Sequence, residues 1–380
     1  VNAERRNYYP DLDGVRAFAC LAVLFGHIFD YLNKRISISK PESWIYENFI
    51  SGSGAMGVCL FFVLSGFLIT SLLIDEKTKT RTINLKNFYF KRILRIWPLY
   101  FAVVVTGFFI LPLLGSDYNP EGVFKHLPWY LGFINNFDRI ATGFTGFGND
   151  SLGVLWSVAI EEQFYLLWPL LILFIPLRYF PFICITFILL GIIFRMFAGF
   201  NESVLYYHSV SVCGDLATGG IMAWGLKNIV LINDNIRAPK NSFRFIVWAI
   251  CLIVVLNHQF LLSYAASLFG GRLILAMVFA WIIADQAVSR TSIFRLGKFA
   301  IIRFFGKISY GVYCLHVFVI IGFQKFNSML GTGKLTALQF ILEALGVILV
   351  TIAWASFSFH FFESYFLKFR PKEKGVTASA

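Results

Sequence analysis

Arg16 and His27 lie eleven residues apart in the run DLDGVRAFACLAVLFGHIFDYL. On a helix of 3.6 residues per turn that spacing is three turns plus about 20°, so both side chains leave one face, roughly 16 Å apart along the axis. An ionisable side chain inside an apolar run is expensive in lipid and marks a functional site by default. A buried imidazole can act as a general base or as a nucleophile; it can equally be a histidine satisfied by a neighbouring helix. Arg92 and Arg95, in FYFKRILRIWPLYF, are i,i+3 neighbours. Two guanidinium groups on one face make a clamp for phosphates, and snorkelling to a membrane surface is the plainer alternative. Ser157 and Glu161, in LWSVAIEEQFYLLWP, are i,i+4 and also share a face. Glu162, Gln163 and Tyr165 follow. A carboxylate there can orient a histidine or bind a sugar hydroxyl, or it can be an acid in the first turn of a helix.

Four further groups are weaker signals. Ser65-Gly66 in FFVLSGFLI reads as a small-residue packing site. Asp215, Gly-flanked in VCGDLATGG, is either catalytic or the buried partner of an arginine. Tyr310, Tyr313 and His316 repeat at i, i+3, i+6, with His316 more in keeping with support than with catalysis. His360 and Glu363 fall near the inner end of the last apolar run. His126, His208 and His258 read as interfacial and receive no role.

The elements that must carry these residues follow from composition. Of 380 residues, 58% are hydrophobic, 14% are charged and 44 are Phe. A soluble domain has about a quarter charged. One bilayer crossing takes about 20 apolar residues, so the chain holds enough for about ten. A disordered chain, a disulfide scaffold and an ordinary soluble globule are excluded. The expectation is an all-α polytopic membrane protein with ten transmembrane helices, at 14–32, 54–74, 95–114, 155–177, 180–199, 206–226, 243–262, 268–287, 308–326 and 338–362. The sixth is weakened by Asp215. The connector near 115–153 is long enough to fold over one face. The first run lacks a small-residue cleavage site and is expected to be retained.

The net charge of +12 has a topological explanation. With both termini cytoplasmic, 24 of the 33 Lys and Arg residues fall on the cytoplasmic side, as basic residues do in membrane proteins. Nucleic acid is therefore not an expected partner. The six cysteines lie in or beside apolar stretches without a CxxC, and read as packing residues rather than disulfides or a metal site. No phosphate-binding GxxxxGK[ST], no GxGxxG after a strand, no HExxH and no GxSxG elbow occurs. Asp30 follows His27 after two residues rather than the four of glycerol-phosphate-type acyltransferases.

Taken in order, these segments resemble the acyltransferase 3 family, the bacterial integral-membrane O-acetyltransferases of surface polysaccharides and related acceptors. Its Arg-x10-His matches Arg16 and His27. Ser-Gly-Phe-Leu matches Ser65 to Leu68, and Arg-x-x-Arg matches Arg92 and Arg95. The W-S-x-x-x-E-x-Q-F-Y block matches Trp156, Ser157, Glu161, Gln163, Phe164 and Tyr165. The late I-S-Y-x-x-Y-x-x-H block matches Ile308 to His316, and the final Glu matches Glu363. One departure is Cys213, where the family often has Arg two residues before the Asp matching Asp215; an Arg–Asp role at that position is in doubt.

The resemblance implies a transmembrane domain at 1–367 with a cytoplasmic tail at 368–380, in the cytoplasmic (inner) membrane. It implies acetyl-CoA, or another acyl-CoA, as donor substrate, no permanently bound cofactor and no metal. The acceptor would be a hydroxyl of a glycan or lipid-linked glycan, reached beside membrane lipid. Longer family members add an extracytoplasmic hydrolase-like domain, which this sequence, ending at Ala380, is expected to lack. On this reading Arg16, Arg92 and Arg95 bind the donor, and His27 is the base or acyl carrier. Glu161 orients His27 or the acceptor, and Ser157, Gln163, Tyr165, Asp215 and His316 hold substrate or support the site. The other class compatible with embedded Arg, His and Glu is a secondary transporter of a sugar or lipid-linked precursor, although no repeated halves are visible.

Overall fold

The computed structural model describes residues 9–33, 50, 52–114, 123–146, 151–199, 201–237, 241–263, 270–289, 292, 295–331 and 335–371. The elements that carry the chain are helices. They are α1 (Pro10–Asn33), α2 (Ser53–Thr80), α3 (Leu85–Val105), α4 (Leu127–Leu131), α5 (Asn135–Thr142), α6 (Leu155–Phe174), α7 (Phe180–Phe197) and α8 (Glu202–Tyr207). There follow α9 (Ser209–Asn228), α10 (Val230–Arg237), α11 (Asn241–Leu256), α12 (His258–Leu262), α13 (Gly271–Val288), α14 (Ala300–Met329), α15 (Ala337–Phe357) and α16 (Ser364–Leu367). A π-helical turn over Thr106–Ile110 prolongs α3, and another over Ser358–Glu363 joins α15 to α16. With no water in the hydrocarbon layer, a helix is one of the few structures that satisfies its own backbone there.

Eight helices among the described residues are long and apolar enough to cross a membrane. The chain is a polytopic helical membrane protein. These eight coincide with all but two of the expected segments. The expected sixth, 206–226, falls on α9, a helix of 20 residues that carries Asp215. The expected seventh, 243–262, holds a shorter apolar helix, Arg244–Leu256, followed by α12.

The largest boundary difference concerns α3. The sequence expectation began it at 95, because KNFYFKR reads as a polar connector. The helix begins at Leu85 instead, where the Asn84 side chain accepts from the Asn87 amide at 3.0 Å. Such a cap satisfies one of the orphan amides of a first turn. Arg92 and Arg95 consequently stand two to three turns inside α3, not at its end.

Close backbone approach sets the packing. In lipid, helix association relies on small residues and van der Waals contact rather than on the hydrophobic effect. A Cβ on Gly66 of α2 would fall on the Leu216 carbonyl of α9, and one on Gly219 of α9 would fall on the Val63 carbonyl of α2. The two glycines therefore open reciprocal notches at one crossing. On the other side of α2, a Cβ on Gly57 would lie 2.6 Å from the Ala19 carbonyl oxygen of α1. α1 is flanked by α2 and α14, and α9 by α2, α7 and α13. By contrast α7 exposes Phe182, Ile185, Leu189, Leu190, Ile193 and Phe197, an apolar face fit for lipid.

Asp215 is the buried partner of an arginine. Arg272 of α13 donates to its Oδ2 from Nε at 2.9 Å and from Nη2 at 2.6 Å. The position two residues earlier, Cys213, donates its thiol to backbone carbonyls. Arg272→Ala strands a buried carboxylate and should cost about 3–5 kcal/mol, whereas removing both partners with Asp215→Leu and Arg272→Leu should recover most of that. Unfolding midpoints in detergent check both outcomes.

Candidate active site

One cleft gathers most of the predicted residues. It is lined by Arg16 of α1, Ser65 of α2, Arg92 and Arg95 of α3, and Ser157, Glu161 and Tyr165 of α6; Tyr310 and Tyr313 of α14 complete it. Five helices thus contribute, and residues 16 and 313 meet in one space. The three guanidinium groups share one cleft for a local reason in each case. Arg16 is ion-paired with Asp13, one turn earlier. Arg92 lies over the Tyr165 ring at 5.3 Å and the Phe88 ring at 5.6 Å, the face-on geometry that favours a cation. Arg95 is the exposed member. Beside it, the Tyr310 hydroxyl donates to the Ile96 carbonyl at 2.9 Å and latches α14 onto α3.

Deeper in the cleft the Glu161 carboxylate is fixed on both oxygens. Ser65 Oγ donates to Oε1 at 2.6 Å, and the Tyr165 hydroxyl donates to Oε2 at 3.0 Å. Ser65 therefore does more than the packing read from SGFL; Gly66 provides the packing and Ser65 holds the acid. On the same α6 face as Glu161, Ser157 Oγ lies 2.5 Å from the Tyr313 hydroxyl, which also donates to the Val154 carbonyl at 2.9 Å.

The next turn of α14 beyond Tyr313 carries His316, with the two ring centres 6.1 Å apart. His316 is fully buried. Its Nδ1 lies 3.1 Å from the Val312 carbonyl oxygen, and its Nε2 lies 3.0 Å from Nδ1 of His27. These two contacts determine the tautomers. A carbonyl only accepts, so His316 carries its proton on Nδ1, and its Nε2 accepts from His27. His27 then carries its proton on Nδ1, and a neutral ring keeps its lone pair on Nε2. The residue on His27 Nδ1 is His316, while Glu161 is tied to Ser65 and Tyr165. His27 itself sits against the start of α2, where a Cβ on Gly54 would be 4.0 Å from its Cε1.

Four predicted residues do not line this cleft: His27 and His316, paired with each other as above, and Gln163 and Asp215. Gln163 donates to the Phe133 carbonyl at 2.8 Å and to Asn136 Oδ1 at 3.0 Å, and accepts from Ser209 Oγ at 2.5 Å. It ties α5 and the start of α9 to α6. Asp215 is occupied by Arg272, as above. The three histidines read as interfacial each have a local partner. His126 is buried, pairs with Asp138 at 2.9 Å and stacks on Phe144 with ring centres 3.9 Å apart. His258 is buried too. His208 caps α9, accepting from the Val210 amide at 3.2 Å. Glu363, in the π-helical turn, accepts from Ser358 Oγ at 3.1 Å.

Sequence reasoning gave Tyr313 no role of its own, and His316 was not joined to His27. The signal was present as the i+3 spacing of Tyr310, Tyr313 and His316 on one face of α14. Its partner on α1 is 289 positions away and left no local trace.

Comparison with known proteins is consistent over nearly the whole length. O-acetyltransferase OatA of Staphylococcus aureus (strain NCTC 8325 / PS 47) is 30% identical over 404 residues, covering 98% of this chain and 60% of that protein. Peptidoglycan O-acetyltransferase OatA of Listeria monocytogenes is 29% identical over 334 residues, covering 83% of this chain and 50% of that protein. The chain thus spans between half and three fifths of the length of these relatives. No solved structure matches it. The family model described as an acyltransferase domain matches residues 9–359. With that match running from the start of α1 through α15, the chain belongs to the acyltransferase 3 family.

Proposed function

We propose that the protein is a membrane O-acetyltransferase that moves an acetyl group from cytoplasmic acetyl-CoA to a hydroxyl of a cell-envelope glycan. The observation that carries this reading is the single cleft in which Arg16, Arg92 and Arg95 converge and which leads, past Glu161 and Tyr313, towards the His27–His316 pair. The names of the two relatives, O-acetyltransferase and peptidoglycan O-acetyltransferase, support the acyl group and the acceptor class.

The bundle is read as ten spans, α9 and α11–α12 included, with both termini cytoplasmic in the cytoplasmic membrane. The 24 of 33 basic residues that then fall inside support this orientation. Residues 1–367 form the catalytic membrane domain and 368–380 a tail. The cleft mouth with its arginines then faces the cytoplasm. Coenzyme A phosphates pair with Arg16, Arg92 and Arg95 through charge-assisted hydrogen bonds. The pantetheine arm extends along α14, and Glu161, held by Ser65 and Tyr165, accepts from one of its amide N–H groups. The thioester passes the Ser157–Tyr313 pair and reaches His27, three helical turns from Arg16.

There His27 Nε2 takes the proton of the acceptor hydroxyl as its oxygen attacks the thioester carbonyl. The carbon–sulfur bond breaks, the new carbon–oxygen ester bond forms, and the proton on Nε2 passes to the departing thiolate of coenzyme A. His316 positions the ring and, by accepting the His27 Nδ1–H at its own Nε2, favours the imidazolium that forms briefly. Gln163 and Asp215 hold the scaffold. The donor is consumed at each turnover, so no resident cofactor is required.

Three outcomes test this. His27→Ala, inserted at a normal level, should lose transfer by about 10²–10⁴-fold, measured with radiolabelled acetyl-CoA and envelope glycan; retention of full transfer rules the base out. Arg92→Ala should weaken acetyl-CoA binding by about ten- to a hundredfold, the size of a lost charge-assisted bond, with the glycan KM unchanged; calorimetric titration measures the first. His316→Ala should lower kcat about 10–100-fold, as loss of a group that orients a catalytic imidazole does, with acetyl-CoA affinity unaltered. His316→Gln, whose amide oxygen can still accept from His27, should recover part of that rate.

A further inference from the structure

A second cavity lies at the opposite end of the helices from the arginine cleft. It has a volume of about 510 Å³ and is lined by Arg195 of α7, Glu202, Ser203, Tyr206 and Tyr207 of α8, and Ser263 after α12, among others. Ala55 of α2 also lines it. Ala55 precedes Ser65, a lining residue of the arginine cleft, by ten residues of one helix, or roughly 15 Å. The neighbour of Ala55, Gly54, is the residue packed against the His27 ring. The cavity therefore reaches α2 one residue from its contact with His27.

Its chemistry is specific. Tyr206 and Tyr207 stand nearly at right angles, with ring centres 4.8 Å apart. Both pack on Trp156, at 5.0 and 5.1 Å, and Arg139 covers Tyr207 at 4.5 Å. The rings are half-buried and held, so they form rigid platforms at little cost in side-chain freedom. Arg195 is buried and fixed, donating from Nε to the Ser211 carbonyl at 2.8 Å and from Nη2 to the Leu205 carbonyl at 3.1 Å. Glu202 and Ser203 are exposed at the rim. A lipid tail would desolvate this polar lining without replacing its hydrogen bonds. A pyranose suits it, because a sugar ring has a C–H face for an aromatic platform and hydroxyls for carboxylate, serine and guanidinium.

We infer that this cavity is the acceptor site: one sugar of the envelope glycan lies on Tyr206 and Tyr207, with hydroxyls on Glu202, Ser203 and Arg195, and presents the hydroxyl to be acetylated towards His27. The inference rests on the transferase reading above and assigns the acceptor a position that reading leaves open. It also makes the two substrates approach His27 from opposite ends of the bundle.

The test uses the full chain in proteoliposomes, with radiolabelled acetyl-CoA as donor and envelope glycan extracted from cells lacking the protein as acceptor. Tyr206→Ala should raise the KM for glycan about tenfold or more, and Glu202→Gln, a rim change that leaves the core untouched, should raise it by a similar factor. In both variants the Kd for acetyl-CoA should stay within about twofold, since the arginine cleft is separate; this constant also reports that the variant is folded. A glycan KM unchanged in Glu202→Gln and in a folded Tyr206→Ala overturns the inference, as does donor affinity falling in step with acceptor affinity. If the parent protein itself moves no label to the glycan, the transferase reading falls and the acceptor site with it. Transfer by the parent with variants indistinguishable from it removes the acceptor site alone.

Discussion

A polar group inside the hydrocarbon layer has no water to fall back on, and the arrangement of this molecule follows from how each such group is partnered. The partners are distant in sequence and adjacent in space. Asp215 on α9 takes Arg272 of α13, Glu161 on α6 takes Ser65 of α2, and His27 on α1 takes His316 of α14. Each pair ties two helices whose contact otherwise rests on dispersion and on glycine notches such as Gly66 and Gly219. The same demand that each polar group be satisfied also fixes its geometry. A carboxylate bonded on both oxygens cannot rotate, and an imidazole bonded to an imidazole cannot change tautomer without breaking a bond.

The first half of the site was legible in the sequence because it is written in local spacing. Arg16 and His27 share a face by helical arithmetic alone, as do Ser157 and Glu161, and Arg92 and Arg95. Helix existence was equally legible, since an apolar run of span length has few alternatives. What escaped was of two kinds. The beginning of α3 was hidden because LKNFYFKR carries two lysines and an arginine and reads as a connector; the cap by Asn84 and the aromatic partners of Arg92 outweigh that composition. Pairings across helices were hidden because nothing in a single sequence links position 27 to position 316, or 215 to 272. The sequence does place Cys213 where an arginine would be expected beside Asp215. The structure supplies the arginine from another helix, so the ion pair exists without the motif.

The position of Tyr313 links the two parts of the proposed reaction. Its hydroxyl lies between Ser157 and the Val154 carbonyl, at the end of the arginine cleft, and its ring neighbours His316. It is bound to α6 on one side and to the turn of α14 carrying the imidazole on the other. On the proposed path a thioester entering from the arginines would pass this contact. Ser157 and Tyr313 are each both donor and acceptor, so the contact can open and re-form around a ligand without leaving an unpaired group. That is a demand a buried site in lipid imposes on any residue in the path of a polar substrate.

The proposed entry of two substrates from opposite ends would also account for an imidazole held by another imidazole rather than by a carboxylate. A carboxylate beside His27 would add a charge to a region that both a polyanionic donor and a neutral glycan must reach. It would need a buried counter-ion of its own, as Asp215 needs Arg272. His316 fixes the same nitrogen while remaining neutral, and a backbone carbonyl four residues earlier on its own helix fixes His316 in turn. The acid that the sequence suggested for this task, Glu161, stands instead among the arginines, where the donor's positive surroundings balance its charge. Ionic side chains line the cavities on either side, Arg16, Arg92, Arg95 and Glu161 in one and Arg195 and Glu202 in the other, and the centre proposed to handle the proton is a pair of imidazoles.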